Sequence, residues 1–133
     1  MATATVTRKA VTVHQQIKRI HAGLRFQAVQ NLQKALDLPL EKMAAVLGMS
    51  RATLHRRKTQ GKIDQHESER LVRYQRLLKK ADDVFGDGAS AREWLTHKQS
   101  GLGGAVPLDF ARTEIGAREV ENLLGRIEYG VYS

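Results

Sequence analysis

Apolar positions along this chain recur about every three to four residues, and runs alternating apolar with polar, as in a half-buried strand, are nearly absent. Val13 to Ile20 is basic and weakly amphipathic, and Gly23 interrupts it. From about Arg25 to Leu36 a stripe of Leu24, Ala28, Val29, Leu32 and Leu36 predicts a second helix. Pro39 has the fixed φ of a first helical position. Met43, Val46 and Leu47 follow at helical spacing, with Ala44 small enough for another helix to cross closely. Gly48 supplies a left-handed turn. Ser50 is then a suitable N-cap for a helix whose Leu54 faces inward while Arg51, Thr53, His55, Arg56 and Lys58 face outward. Gly61 ends that helix.

Asp64 with Glu67 forms a capping box that opens the longest helix, reaching about Phe85. Leu71, Tyr74, Leu78, Ala81 and Phe85 share one face of it, and Val72 and Leu77 widen that face, as expected of a helix packed on two sides. Gly86-Asp87-Gly88 breaks the pattern, and Ser90 to Glu93 reads as another capping box before a short helix with Trp94 and Leu95 in a core. Gln99 to Val106 is a glycine-rich loop expected to bring the brief Pro107–Phe110 turn back against Trp94. A last helix runs from Glu114 or Ala117 to Glu128, with Val120, Leu123, Leu124 and Ile127 inward, and Gly130 ends it. The fold class is all-α.

Composition narrows what such a chain does. Its 133 residues suffice for one modest core or two small helical lobes. The absence of cysteine excludes disulfides and thiolate zinc sites and suits a reducing cytoplasm. No apolar run approaches the roughly 20 residues that span a bilayer, and Met1 to Thr7 lacks the apolar centre of a signal peptide. The net charge of +8 is divided unevenly: residues 1–63 hold 12 Lys and Arg against 2 Asp and Glu, whereas residues 64–133 hold 10 against 12. The front half is built to meet a polyanion and the rear half to do something else.

The two helices around Gly48 have the spacing of a helix-turn-helix, and the second concentrates the cations. Arg51, Ala52, Thr53 and His55 lie where a recognition helix reaches base edges, arginine suiting guanine O6 and N7, and Ser50 at the helix start is expected at the DNA with them. Arg56, Lys58, Thr59 and Lys62 suit phosphates. Arg57 falls toward the buried side and can pair inward.

Enzyme motifs fail one by one. His66-Glu67 lacks the second histidine of a zinc-protease pair, since position 70 is Arg70. Gly101-Leu102-Gly103-Gly104 follows no strand and has Val106 where a dinucleotide loop needs its third glycine. No G-x-S-x-G elbow occurs, and the five histidines show no metal-binding spacing, so no catalytic residue, metal or cofactor is expected. At the C-terminus Tyr129 and Tyr132 flank Gly130 beside Arg126, a combination typical of interface anchors.

These residues together resemble the Xre/MbcA/ParS antitoxins of RES–Xre toxin–antitoxin pairs. The resemblance rests on Gly23-Leu24, on Met43 to Arg57, and on Ala91-Arg92-Glu93-Trp94-Leu95. It continues through Leu102-Gly103-Gly104, Pro107-Leu108 and the run from Glu119 to Tyr132. It implies that the rear lobe binds and inhibits a RES-domain toxin linked to NAD consumption. It further implies that the front lobe represses the toxin–antitoxin operon, and that the protein is a homodimer in the bacterial cytoplasm. Arg126, Glu128, Tyr129, Tyr132 and Ser133 are then expected at the toxin's active-site entrance. The expected organisation is a disordered tail over 1–12, a helix-turn-helix domain over 13–63, and a connecting and dimerisation helix over 64–86. A toxin-binding domain occupies 87–133. The other readings are a free-standing regulator whose rear lobe only dimerises, and an adaptor tying DNA to some other protein.

Overall fold

The computed structural model describes residues 12–130. Among them eight α-helices follow one another: α1 (Val13–Ala22), α2 (Phe26–Ala35), α3 (Leu40–Val46), α4 (Arg51–Gln60), α5 (Gln65–Phe85), α6 (Gly88–Thr96), α7 (Pro107–Phe110) and α8 (Glu114–Glu128). No strand occurs among the described residues, and a short 3-10 turn, Ser100–Leu102, lies in the glycine-rich loop. The tail expected over 1–12 falls outside the described residues except for Thr12, which caps α1: its hydroxyl accepts from the Gln15 N–H at 3.1 Å.

Side-chain caps begin most helices where the sequence offers an oxygen. Ser50 Oγ accepts from the Thr53 N–H at 3.1 Å, and Asp64 Oδ1 from the Glu67 N–H at 2.7 Å. Two expected starts are displaced. Pro39 is the N-cap of α3 with extended backbone, and Leu40 is the first helical residue. The Ser90 box does not form: α6 begins at Gly88, and Asp87 accepts from both the N–H (2.7 Å) and the hydroxyl (3.0 Å) of Ser90. Gly86 alone, left-handed at φ 83, breaks the chain, which leaves Asp87 free to cap. Those bonds, the one from the Ser90 N–H foremost, hold the Asp87 carboxyl below its ordinary pKa.

The first five helices close on themselves through a pairing that periodicity does not reveal. The Ile63 N–H donates to the Leu24 carbonyl and the Phe26 N–H to the Gly61 carbonyl, both at 2.9 Å, around an antiparallel bridge between Arg25 and Lys62. Leu24 N–H in turn donates to the fully buried Ser68 hydroxyl at 2.9 Å. Gly23 sits in this crossing at φ 90, and a Cβ there would collide with the Ile63 carbonyl. Phe26 and Ile63, outside the expected stripes, are buried as a result.

Helix α5 is the beam of the molecule. Leu71, Tyr74, Leu77 and Ala81 are at most 1% exposed, covered mainly by α6 and α8. A fully buried leucine of this kind is worth about 2–5 kcal/mol when truncated to alanine. The apolar face expected to pair two copies is thus largely occupied within the chain, with Val72, Leu78 and Phe85 left half-buried along it. Tyr74 donates its hydroxyl to the Leu108 carbonyl at 3.2 Å, and burial pushes its pKa up to about 12.

Helix α8 lies along α5 with Ala117, Val120, Leu123 and Leu124 inward and Ile127 half-buried. Arg73–Glu114 (3.2 Å), Arg76–Glu121 (2.8 Å) and Lys80–Glu128 (3.4 Å) form a seam whose numbers rise together, so the two helices run parallel. Burial opposes the charge of Arg76, yet its bonds to Glu121 and Glu114 prevail and raise its pKa. The glycine-rich loop closes between Gln99 and Ala105 and packs Gly101 against Leu123, while Gln99 donates to the Trp94 carbonyl at 2.8 Å. Trp94 itself is half-buried at the core margin, with its ring 5.8 Å from that of Phe85.

Candidate nucleic-acid interface and C-terminal docking lobe

Helices α3 and α4 and the turn between them make the first site. Gly48 is left-handed at φ 77, and the Met49 N–H returns to the Ala44 carbonyl at 2.8 Å, which turns the chain sharply toward Ser50. Arg70, reaching over from α5, donates to the Leu47 carbonyl at 3.2 Å and so closes the end of α3. Sequence reasoning did not single out Arg70, because no local pattern distinguishes it from other arginines of α5.

Only Leu54 of α4 is buried. Arg51, Ala52, His55, Arg56, Lys58 and Thr59 are exposed, and Arg51, His55 and Lys58 border a shallow groove with Leu40 and Glu41 of α3. Among the described residues Arg51, Arg56, Lys58 and Lys62 enter no ion pair. Three expected contacts have local duties as well. Ser50 Oγ donates to Thr53 Oγ1 at 3.0 Å within the cap, and Thr59 Oγ1 donates to the His55 carbonyl at 3.1 Å. Lys62 lies beyond α4, its stem close to Gly23.

Arg57 points inward. Its Nε donates to Glu67 Oε1 at 2.8 Å and its Nη2 to Asp64 Oδ2 at 3.1 Å. The bond to Glu67 outweighs the opposing effect of burial and raises the arginine's pKa. Glu67 Oε1 also accepts the Asp64 N–H at 2.9 Å, so the α5 cap and the last turn of α4 are one hydrogen-bonded unit. The exposed cations of α4 thus sit on a helix held from behind.

The second site is the outer side of the rear lobe. Arg126 is exposed, and Tyr129 is 78% exposed at the end of α8. Glu128 turns the other way, into its pair with Lys80. Tyr132 and Ser133 lie outside the described residues. Ile115, 80% exposed in the first turn of α8, was not among the expected contacts. A helical projection of residues 114–128 places it opposite Ala117, Val120 and Leu124, which was the signal available for it.

These features define a helix-turn-helix protein with an appended helical docking domain. Comparison with known proteins is consistent at both ends. Residues 15–76 match the antitoxin Xre-like helix-turn-helix domain, and residues 80–130 match the antitoxin Xre/MbcA/ParS C-terminal toxin-binding domain. An Antitoxin Xre of Yersinia enterocolitica is 33% identical over 119 residues, covering 88% of this chain and 80% of that protein. An Antitoxin Xre of Photorhabdus laumondii is 33% identical over 116 residues, covering 86% and 78%. That of Pseudomonas putida is 33% identical over 64 residues, covering 48% and 40%. The chain belongs to the Xre/MbcA/ParS antitoxin family: it is a toxin–antitoxin system antitoxin with a helix-turn-helix. Among the described residues no helix is long and apolar enough to cross a membrane.

Proposed function

We propose that this chain neutralises a cognate RES-domain, NAD-consuming toxin in the bacterial cytoplasm and represses its own operon by binding operator DNA through α4. The observation that carries this reading is the pairing, on one core, of a helix whose outward cations enter no ion pair among the described residues with a domain matched as toxin-binding, whose last helix is held to α5 through Glu114, Glu121 and Glu128. Arg51, Ala52, Thr53 and His55 face base edges, and Arg56, Lys58, Thr59 and Lys62 take phosphates. A homodimer would set two copies of α4 over half-sites about 34 Å apart on a near-palindromic operator. Arg126, Glu128 and Tyr129, with Tyr132 and Ser133 beyond them, cover the toxin's active-site entrance; Glu128 would first leave Lys80.

Co-expression with the RES-domain protein encoded by the neighbouring reading frame tests this reading. The expected result is a stable complex, rescue of growth, and retardation of the upstream promoter fragment in a gel-shift assay. Truncation after Glu128 should abolish rescue and keep the gel shift. Rescue by the truncated chain would remove the terminal residues from the mechanism, and absence of a complex would remove the toxin.

A further inference from the structure

We infer that the toxin is gripped along the whole outer face of α8, with Ile115 as an apolar anchor separate from the C-terminal residues. The inference rests on the reading that this lobe engages a RES-domain toxin, and it extends the contact from Arg126 and Tyr129 back along α8 to Ile115.

Each side of α8 has a distinct duty. Ala117, Val120 and Leu124 are fully buried, and Glu114, Glu121 and Glu128 pair with Arg73, Arg76 and Lys80 of α5. One stripe is left over. Ile115, Arg118, Glu119, Asn122, Arg126 and Tyr129 fall within about 60° of Ile115's direction, a sector about 100° wide, on a helix of 3.6 residues per turn, and all six are exposed. Among the described residues none of the four polar ones makes an ion pair. Only five large apolar side chains are exposed among the described residues, and three, Phe110, Ile115 and Tyr129, lie in the domain matched as toxin-binding.

An isoleucine that is 80% exposed contributes nothing to folding that a polar residue would not. Its neighbourhood is nonetheless built with care. Gly116 is buried directly beneath the Phe110 carbonyl, where any Cβ would overlap it, so α7 is drawn tightly against the first turn of α8. That close approach keeps Phe110, 37% exposed, near the same end of the helix. The stripe therefore has an apolar end at Ile115 and another at Tyr129, about 21 Å apart at 1.5 Å per residue, with Arg118 and Arg126 outnumbering Glu119 between them. A protein surface with two apolar hollows at that separation and carboxylates between them is its complement, an apolar core with a charged rim. The match of residues 80–130 to a toxin-binding domain favours the toxin over a second copy as the occupant of that surface.

The test uses the full chain and the RES-domain protein of the adjacent reading frame, refolded out of the purified complex, in calorimetric titrations. Ile115→Glu should weaken toxin binding at least about tenfold, the loss of one interface anchor. Operator retardation should stay within about twofold of the native chain, showing that the variant folds. Ile115→Val should bind like the native chain. If Ile115→Glu also loses operator binding, Arg118→Glu on the same face decides: a loss of about threefold or more upholds the inference, and native affinity overturns it. Native toxin affinity for Ile115→Glu overturns it outright, leaving the terminal residues to carry binding alone. The same affinity with a changed sedimentation of the free chain overturns it in favour of a contact between two copies. Failure of the native chain to bind the toxin at all is a separate result, which defeats the proposed function itself.

Discussion

Replacing Arg57 by alanine should destabilise the protein without removing a DNA contact. The Glu67 side chain is 8% exposed and its arginine partner 18%, whereas Asp64 is 45% exposed. Breaking a buried pair costs about 3–5 kcal/mol, because one charge is left behind in a poor solvent. An exposed pair contributes only about 0.2–1 kcal/mol. The Glu67 arm therefore dominates, and partial exposure puts the expected loss at the low end, about 3 kcal/mol. Glu67→Gln keeps an oxygen for the Asp64 N–H and for the guanidinium, and should cost about 1 kcal/mol. In the double variant the residue at position 67 is neutral and needs no cation. The combined loss should be about 2 kcal/mol instead of the additive 4, a coupling of about 2 kcal/mol. Urea denaturation followed by far-ultraviolet circular dichroism measures all three, provided the slopes agree. Additive losses would refute the pairing as the buttress of α4. A second measurement separates buttress from contact. The salt dependence of operator binding should keep its slope in Arg57→Ala, assayed where the variant is folded, and lose about one unit in Lys58→Ala. A reduced slope for Arg57→Ala would mean that the guanidinium reaches phosphate.

Three further outcomes follow from the same geometry. Arg51→Ala should lower discrimination at a single base pair by about 1–3 kcal/mol, visible in titrations against a set of singly altered operators; a uniform loss across the set would reassign Arg51 to the backbone. Gly23→Ala should destabilise by about 2 kcal/mol or more, since strain at φ 90 is compounded by the Ile63 carbonyl, whereas Gly61→Ala meets open space and should cost about 1 kcal/mol from its left-handed backbone alone; equal urea midpoints for the two would refute the collision. Tyr74 keeps its proton up to about pH 12 in the folded chain but loses it near 10.0 when unfolded. The folded state then binds more protons in that window, so stability should fall as pH rises through it, and Tyr74→Phe should flatten the fall.

Much of the helix-turn-helix was legible because its signals are local. Ser50 and Thr53, Asp64 and Glu67, and the left-handed Gly48 and Gly61 act within four residues, and each stands where spacing put it. Even the inward turn of Arg57 follows from its place on α4. What local spacing does not encode is which distant segment arrives. The Leu24–Ser68 bond joins residues 44 apart and the Arg70–Leu47 bond residues 23 apart, and neither partner has a neighbour that announces it. The wide apolar face of α5 was legible as a face but not as to its occupant, since Leu77 looks the same whether α8 or a second molecule covers it. The cap of α6 was misread because Ser90 and Asp87 are both good N-caps, and only the break at Gly86 decides between them.

The two family matches divide the chain inside α5, one ending at residue 76 and the other beginning at residue 80. Packing draws no such line. Leu71, Tyr74, Leu77 and Ala81 are buried on both sides of that division, and one cluster of buried side chains runs from Phe26 to Leu124. At its start α5 holds α4 through Asp64 and Glu67; further along it holds α8 through Arg73, Arg76 and Lys80. The positions of the cationic helix and of the docking helix are thus set by one rod. Leu77, counted by homology with neither lobe, supports both, because removing it loosens the packing on which each binding face depends.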